Sequence, residues 1–187
     1  MDKKEVLLKL ARAAIAEEFC IDYGVDKEAL RRENPWLNEE GAAFVTLNTK
    51  ESGALRGCIG SIIAHQSLYD DVVKNAKSAA FGDPRFVALT PEEFNRITVE
   101  VSVLTPPERL PYDSVEDLKQ KLRPGIDGVI LKLGGYQATF LPQVWEQLPT
   151  FDVFMAHLCQ KAGMGTECLQ QHPEVYVYQV RSFSEAD

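Results

Sequence analysis

Two pairs of apolar runs in this chain of 187 residues are joined by links too short for anything but a reversal of direction. Val129-Ile130-Leu131-Lys132-Leu133 and Tyr136-Gln137-Ala138-Thr139-Phe140 are separated only by Gly134-Gly135, which supplies the positive φ angles of a tight hairpin turn. Ala42 to Leu47 and the stretch from Ala54 to Ile62 flank Asn48-Thr49-Lys50-Glu51-Ser52-Gly53, a turn-forming hexapeptide. A parallel connection needs a crossover of about a dozen residues or more, so both links predict antiparallel neighbours. Ile97, Val99, Val101 and Val103 alternate with Thr98, Glu100 and Ser102, which predicts a half-buried strand with a carboxylate on its second face. Val175 to Val180 reads as a last strand.

Helices fall between these runs. Val6, Leu7, Leu10, Ala11, Ala14, Ile15 and Phe19 recur at helical spacing over residues 3 to 22. Ser67, with Asp70 three residues on, opens a second helix that stops at Phe81-Gly82-Asp83-Pro84. Thr90-Pro91-Glu92-Glu93 announces a short one, Ser114 caps another through Leu122, and Phe151 to Ala162 forms a further helix. Hairpins interspersed with helices, without strict strand–helix alternation, predict an α+β fold with a mainly antiparallel sheet flanked by helices. The length suits one domain, with room for a small appended subdomain.

Charge narrows the function classes. Twenty basic against 28 acidic residues leave a net charge of −8. No basic cluster offsets it, which argues against a general nucleic-acid binder. No apolar run approaches a membrane span, and the start Met-Asp-Lys-Lys-Glu lacks the apolar core of a secretory signal, so a cytoplasmic chain is expected. In that setting the four cysteines, Cys20, Cys58, Cys159 and Cys168, are expected to stay reduced. Cys58 with His65, His157 with Cys159, and Cys168 with His172 lack convincing ligand spacing, so no metal site is expected.

The segment Ala54-Leu55-Arg56-Gly57-Cys58-Ile59-Gly60-Ser61-Ile62 is where chemistry is most visible. Strand alternation would place Arg56 and Cys58 on one face, a guanidinium beside a thiol. Glycine weakens a strand, so Gly57 and Gly60 suggest a close approach by another backbone or by a ligand. Cys58 is the candidate nucleophile: the guanidinium would favour thiolate, whereas sealing in an apolar sheet would leave the thiol inert, and the apolar residues on both sides favour sealing. Glu100 and Ser102 share a face and, in this reading, meet Arg56 across the sheet around one cleft; the alternative is an ion pair that fixes register. Asp83 is expected to bond local backbone, and Arg85 to clamp a loop or an anionic ligand.

LRGCIG resembles the signature of the AMMECR family, whose prokaryotic members are called AmmeMemoRadiSam system protein A. The resemblance continues, in the family's order, through Phe81-Gly82-Asp83-Pro84-Arg85-Phe86, Glu100-Val101-Ser102-Val103-Leu104-Thr105-Pro106, Gly125-Ile126-Asp127-Gly128-Val129 and Phe140-Leu141-Pro142-Gln143-Val144. It implies one family domain over residues 1–187, with a smaller subdomain against a larger one. It also implies a component acting with a Memo-type protein and a radical SAM enzyme, and it carries no established reaction. This chain has no group of three closely spaced cysteines, so such a partner would bring the iron–sulfur cluster, and no cofactor of the chain's own is expected. Two functions compete: a small-molecule-binding or accessory component using Arg56, Cys58 and Glu100, with Gly57, Gly60 and Arg85 around them; or a non-catalytic interaction module anchored by Trp36 and Leu37, or by Trp145 beside Pro142.

Overall fold

The computed structural model describes residues 1–186, which form two compact units. The first comprises Met1–Leu104 and the chain end from Arg181; the second is Thr105–Val180. Each carries a four-stranded sheet, and the two sheets make the predicted α+β, mainly antiparallel architecture.

In the first unit, helix α1 (Lys3–Glu18) is capped by Asp2, whose carboxylate accepts the Glu5 N–H at 2.9 Å. It ends short of the predicted residue 22. Cys20 turns left-handed at φ 55°, and the Ile21 N–H reaches back to the Ala16 carbonyl at 3.0 Å, a Schellman-type stop made without glycine. Helix α2 (Lys27–Glu33) lies in what reads from sequence as a charged connector; Asp26 caps it, and only Leu30 is buried. Strands β1 (Ala42–Thr49) and β2 (Leu55–Gly60) form the predicted hairpin, and helix α3 (Leu68–Phe81) follows, with Ser67 accepting the Asp70 N–H. Strand β3 (Ile97–Leu104) completes the expected alternation.

The sheet order is β2-β1-β3-β8, where β8 is Val180–Ser184. Ala43, Val45 and Leu47 of β1 lie opposite Val103, Val101 and Val99 of β3 and pack with Val6, Leu10 and Ile15 of α1 and Val72, Ala76 and Ala79 of α3. Burying a side chain of this kind contributes roughly 1.5–3 kcal/mol. Fully buried Asp71 ties α3 to β1 and to the residue that follows β2: its carboxylate accepts from the Ala43 N–H (2.8 Å), Ser61 (2.8 Å), Gln66 (2.9 Å) and Asn75 (3.2 Å). Buried Arg12 fastens the chain end, bonding Glu185 (2.9 Å) and the Ile97 carbonyl (2.7 Å).

The second unit holds β4 (Glu108–Arg109), helix α4 (Val115–Lys121), β5 (Gly128–Leu133), β6 (Tyr136–Phe140), helix α5 (Phe151–Lys161) and β7 (Glu174–Tyr178), in sheet order β4-β7-β5-β6. The Gly134-Gly135 hairpin is present, with Gly134 at φ 58°. The predicted strand Val175–Val180 is instead two strands in two sheets. It breaks at Gln179, whose N–H and carbonyl are taken by Thr105. Trp145 stacks on Phe154 at 3.7 Å in a core with Leu118, Leu131 and Leu158.

Cys159 and Cys168 are joined by a disulfide, against the expectation of four reduced thiols. The reason is local. Gly163 takes a left-handed φ of 86° after α5 and turns the chain back, so the two Cα atoms stand 5.7 Å apart, inside the range a disulfide spans. Both cysteines are buried, and their link ties the end of α5 to the 3₁₀ turn Cys168–Gln171 ahead of β7.

Candidate functional site

The LRGCIG segment becomes β2, an outer strand of the first sheet. Its ladder with β1 pairs Val45 with Ile59, Thr46 with Cys58 and Leu47 with Gly57, then jumps to Asn48 with Leu55. Arg56 is thus the extra residue of a β-bulge, and the bulge resets the alternation that would have set it beside Cys58. The bulge gives Arg56 other partners, and the guanidinium that reaches Cys58 is that of Arg85. Arg56 instead donates from Nε to Glu93 at 2.8 Å and from Nη2 to the Val87 carbonyl at 2.9 Å, and it faces the Phe86 ring. Its Nη1 is buried without a protein partner.

Glu93, not Glu100, is therefore the carboxylate of Arg56. Glu93, three residues after the Thr90 cap, also accepts the Thr90 N–H at 3.2 Å, so one carboxylate serves both the helix start and Arg56. The hydrogen bond from Arg56, ahead of those from Thr90, holds its carboxyl below the usual range despite partial burial. Glu93 further lines a cavity of about 300 Å³ with Thr49, Glu51, Ser52, Arg96 and Ile97.

Cys58 is half-buried, not sealed. Its thiol lies 3.2 Å from the Thr46 hydroxyl, and Thr46 in turn pairs with Glu100 of β3. Cys58, Thr46 and Glu100 thus form one row across three strands, with the thiol and the carboxylate two strand spacings, about 10 Å, apart. Ser102, two residues on, bonds Ser182 at 2.9 Å and lies 3.5 Å from Glu100. Every member of this row is half-buried, on the sheet face away from Ala43, Val45 and Leu47. The polar residues that relieve sealing come from β1 and β3, so an apolar reading of the LRGCIG segment alone misses them.

The backbone of Cys58 is gripped from outside the sheet. Asp83 Oδ2 accepts its N–H at 3.0 Å, and Arg85 Nη2 donates to its carbonyl at 3.4 Å. Asp83 also accepts from Arg85 Nη2 (2.7 Å), Nε (3.0 Å) and N–H (3.0 Å). Arg85 first, then the Cys58 N–H, hold the Asp83 carboxyl well below the ordinary carboxylate range. Of the two sequence readings of Arg85, the loop clamp describes what its guanidinium does, and Asp83 bonds β2 as well as its own turn.

Gly57 and Gly60 do meet close approaches, and both come from within the protein. A Cβ on Gly57 would be driven into the Ala79 carbonyl oxygen of α3, and one on Gly60 into the Phe44 ring. The proposed anchors of an interaction module lie inward: Leu37 and Trp145 are core residues, and Trp36 packs on the core under Lys3. The apolar side chains left outside near β2 include Leu55, 41% exposed, Ile63, 49% exposed, and Val87, 81% exposed. His65 bonds the Ile63 carbonyl and His157 the Val153 carbonyl. Among the described residues, no three His, Cys, Asp or Glu side chains converge as a metal-binding group.

An α+β protein whose signature strand carries a half-open thiol and is clamped by a separate Asp-Pro-Arg turn is the class these features define. The AMMECR1 family model matches residues 8–183, and the chain belongs to that family. It is 39% identical over 187 residues to a protein of Methanothermobacter thermautotrophicus, covering 97% of this chain and 92% of the relative. A Pyrococcus furiosus protein is 39% identical over 190 residues, covering 97% and 87%. The crystal structure of an uncharacterized protein from Pyrococcus horikoshii superposes with a TM-score of 0.81 at 37% identity, covering 99% of this chain and 93% of that one. No helix among the described residues is long and apolar enough to cross a membrane.

Proposed function

We propose that this chain is an accessory component that acts with a Memo-type protein and a radical SAM enzyme and holds a small molecule against the Cys58–Thr46–Glu100 row. The observation that carries the site is the row itself: a half-exposed thiol, a hydroxyl and a carboxylate in register on three adjacent strands, with the backbone pinned at the thiol residue. Such a row offers a soft nucleophile, a donor and acceptor, and a negative charge on rigid elements, the arrangement that orients a small polar ligand. Arg56, Gly57, Gly60 and Arg85 serve it indirectly by fixing the bulge, the helix contact and the outer grip of β2. The partners rest on the family resemblance.

Purified Memo-type and radical SAM proteins from one genome, mixed with this chain, provide the test. Wild-type chain is expected to associate with them and to change the rate of S-adenosylmethionine cleavage, and Glu100→Gln to associate without changing that rate. No association and no rate change would end the accessory reading. A pure docking role is favoured by one observation, the exposure of Val87 and Leu55 beside the arginine-held turn. On that reading Val87→Asp abolishes association, while Glu100→Gln matches wild type in every measurement.

A further inference from the structure

An outer strand offers its outward N–H and C=O groups to any extended chain that approaches, and folded proteins block such edges explicitly. At Cys58 both outward groups of β2 are already occupied, the N–H by Asp83 Oδ2 at 3.0 Å and the carbonyl by Arg85 Nη2 at 3.4 Å. One acceptor and one donor on the same backbone residue are what a neighbouring strand would supply. The turn that provides them is built in advance: Arg85 bonds Asp83 through Nε, Nη2 and its own N–H, the Phe86 N–H bonds the Asp83 carbonyl at 3.1 Å, and Arg56 holds the Val87 carbonyl.

We infer that the outer edge of β2 is a strand-pairing surface matched to β2 of a second copy of this chain, and that Asp83 and Arg85 keep it closed by occupying the place of that strand. The strand is self-complementary. An antiparallel pair centred on Cys58 sets Arg56 of each copy opposite Gly60 of the other and Leu55 opposite Ser61. Arg56 is the only charge in the segment and is already neutralised by Glu93, so no like charges meet across the two-fold axis. Leu55, exposed beside the clamp, gains cover in that arrangement.

Sedimentation velocity on the full chain across a wide concentration range, with amide hydrogen exchange at Cys58, tests this. Wild type is expected to keep one sedimentation coefficient throughout. Asp83→Ala/Arg85→Ala is expected to move to that of a dimer as concentration rises, with the Cys58 amide exchanging fast when dilute and slowly when concentrated. Adding Cys58→Pro, which removes the outward N–H that pairing requires while leaving no carboxylate at 83 to orphan, is expected to return the double variant to the wild-type coefficient. A folded double variant that sediments as wild type at every concentration overturns the inference, as does a dimer that persists with Cys58→Pro. Should the double variant fail to fold, Asp83→Ala alone frees the Cys58 N–H and removes the carboxylate that holds Arg85 in place. A weaker, concentration-dependent dimer supports the inference, and an unchanged coefficient overturns it.

Discussion

Each unit contains a buried aspartate gripped by an arginine of its own turn, and the two differ in what the aspartate holds. Asp83 is paired with Arg85 and turns its other bond outward to the backbone of Cys58, on an outer strand with a half-exposed thiol. Asp127 is paired with Arg123 at 2.8 Å, accepts from Gln179 at 2.9 Å, and presents its carbonyl to the Trp145 indole at 2.8 Å. Burial pushes the Asp127 carboxyl up, but Arg123 and Gln179 together bring it below the ordinary range. The second closes on a tryptophan in a core stapled by a disulfide. A charge clamp therefore marks a rigid point, and the group it makes rigid decides whether the point is chemical or architectural.

The largest separable effect belongs to the second unit. Cys159→Ala/Cys168→Ala is expected to cost about 3 kcal/mol, from the loop entropy that the cross-link removes from the unfolded chain. Urea titration read by amide exchange should show the loss in peptides of residues 105–180, with the first unit unchanged. Gly57→Val attacks the first unit through the Ala79 carbonyl and is expected to cost about 1–3 kcal/mol by overpacking, in the opposite pattern. Equal midpoints for Gly57→Val and wild type would remove the close-approach explanation of that glycine.

Acid and alkali sharpen the contrast further. Burial raises the Tyr178 phenol to about 12, so folding is favoured fully below pH 10, where the unfolded phenol stays protonated, and the second unit loses that contribution as pH rises from 10 toward 12. Tyr178→Phe should flatten this alkaline decline. Asp83 and Glu93 are shifted the other way; their contribution is present above the unfolded carboxylate range near 4 and is lost as pH falls through their lower folded values. Asp83→Asn should make the acid decline of the first unit shallower and leave the second unit's intact. A decline that is equally steep in the variant would show that Asp83 does not set it.

Much of this was readable in the chain. Periodicity located α1, α3 and β3, the short links located both hairpins, and Ser67 and Thr90 marked real helix starts. What escaped was register and edge. A bulge exists only relative to a partner strand, so strand alternation alone points Arg56 toward Cys58 and Glu100, whereas its carboxylate partner is Glu93. That Asp83 reaches β2 depends on where α3 ends relative to the sheet, a distance that local sequence does not carry. The disulfide escaped for the same reason, since nine positions of spacing say little until a left-handed glycine folds them back. Glu93 does leave a signal: it stands third in the helix that Thr90 caps, which fixes its place beside that cap.

The most direct test of a ligand-facing Cys58 is competitive alkylation of the native, non-reduced protein, read per cysteine by mass spectrometry with and without the Memo-type and radical SAM proteins. Cys20, exposed at the end of α1, serves as the internal standard, and Cys159 and Cys168 should stay unlabelled until reduced. Cys58 is expected to label in the native state and to be protected by the partners while Cys20 is not. Cys58 labelling only on unfolding, or at a rate the partners leave untouched, would contradict the site.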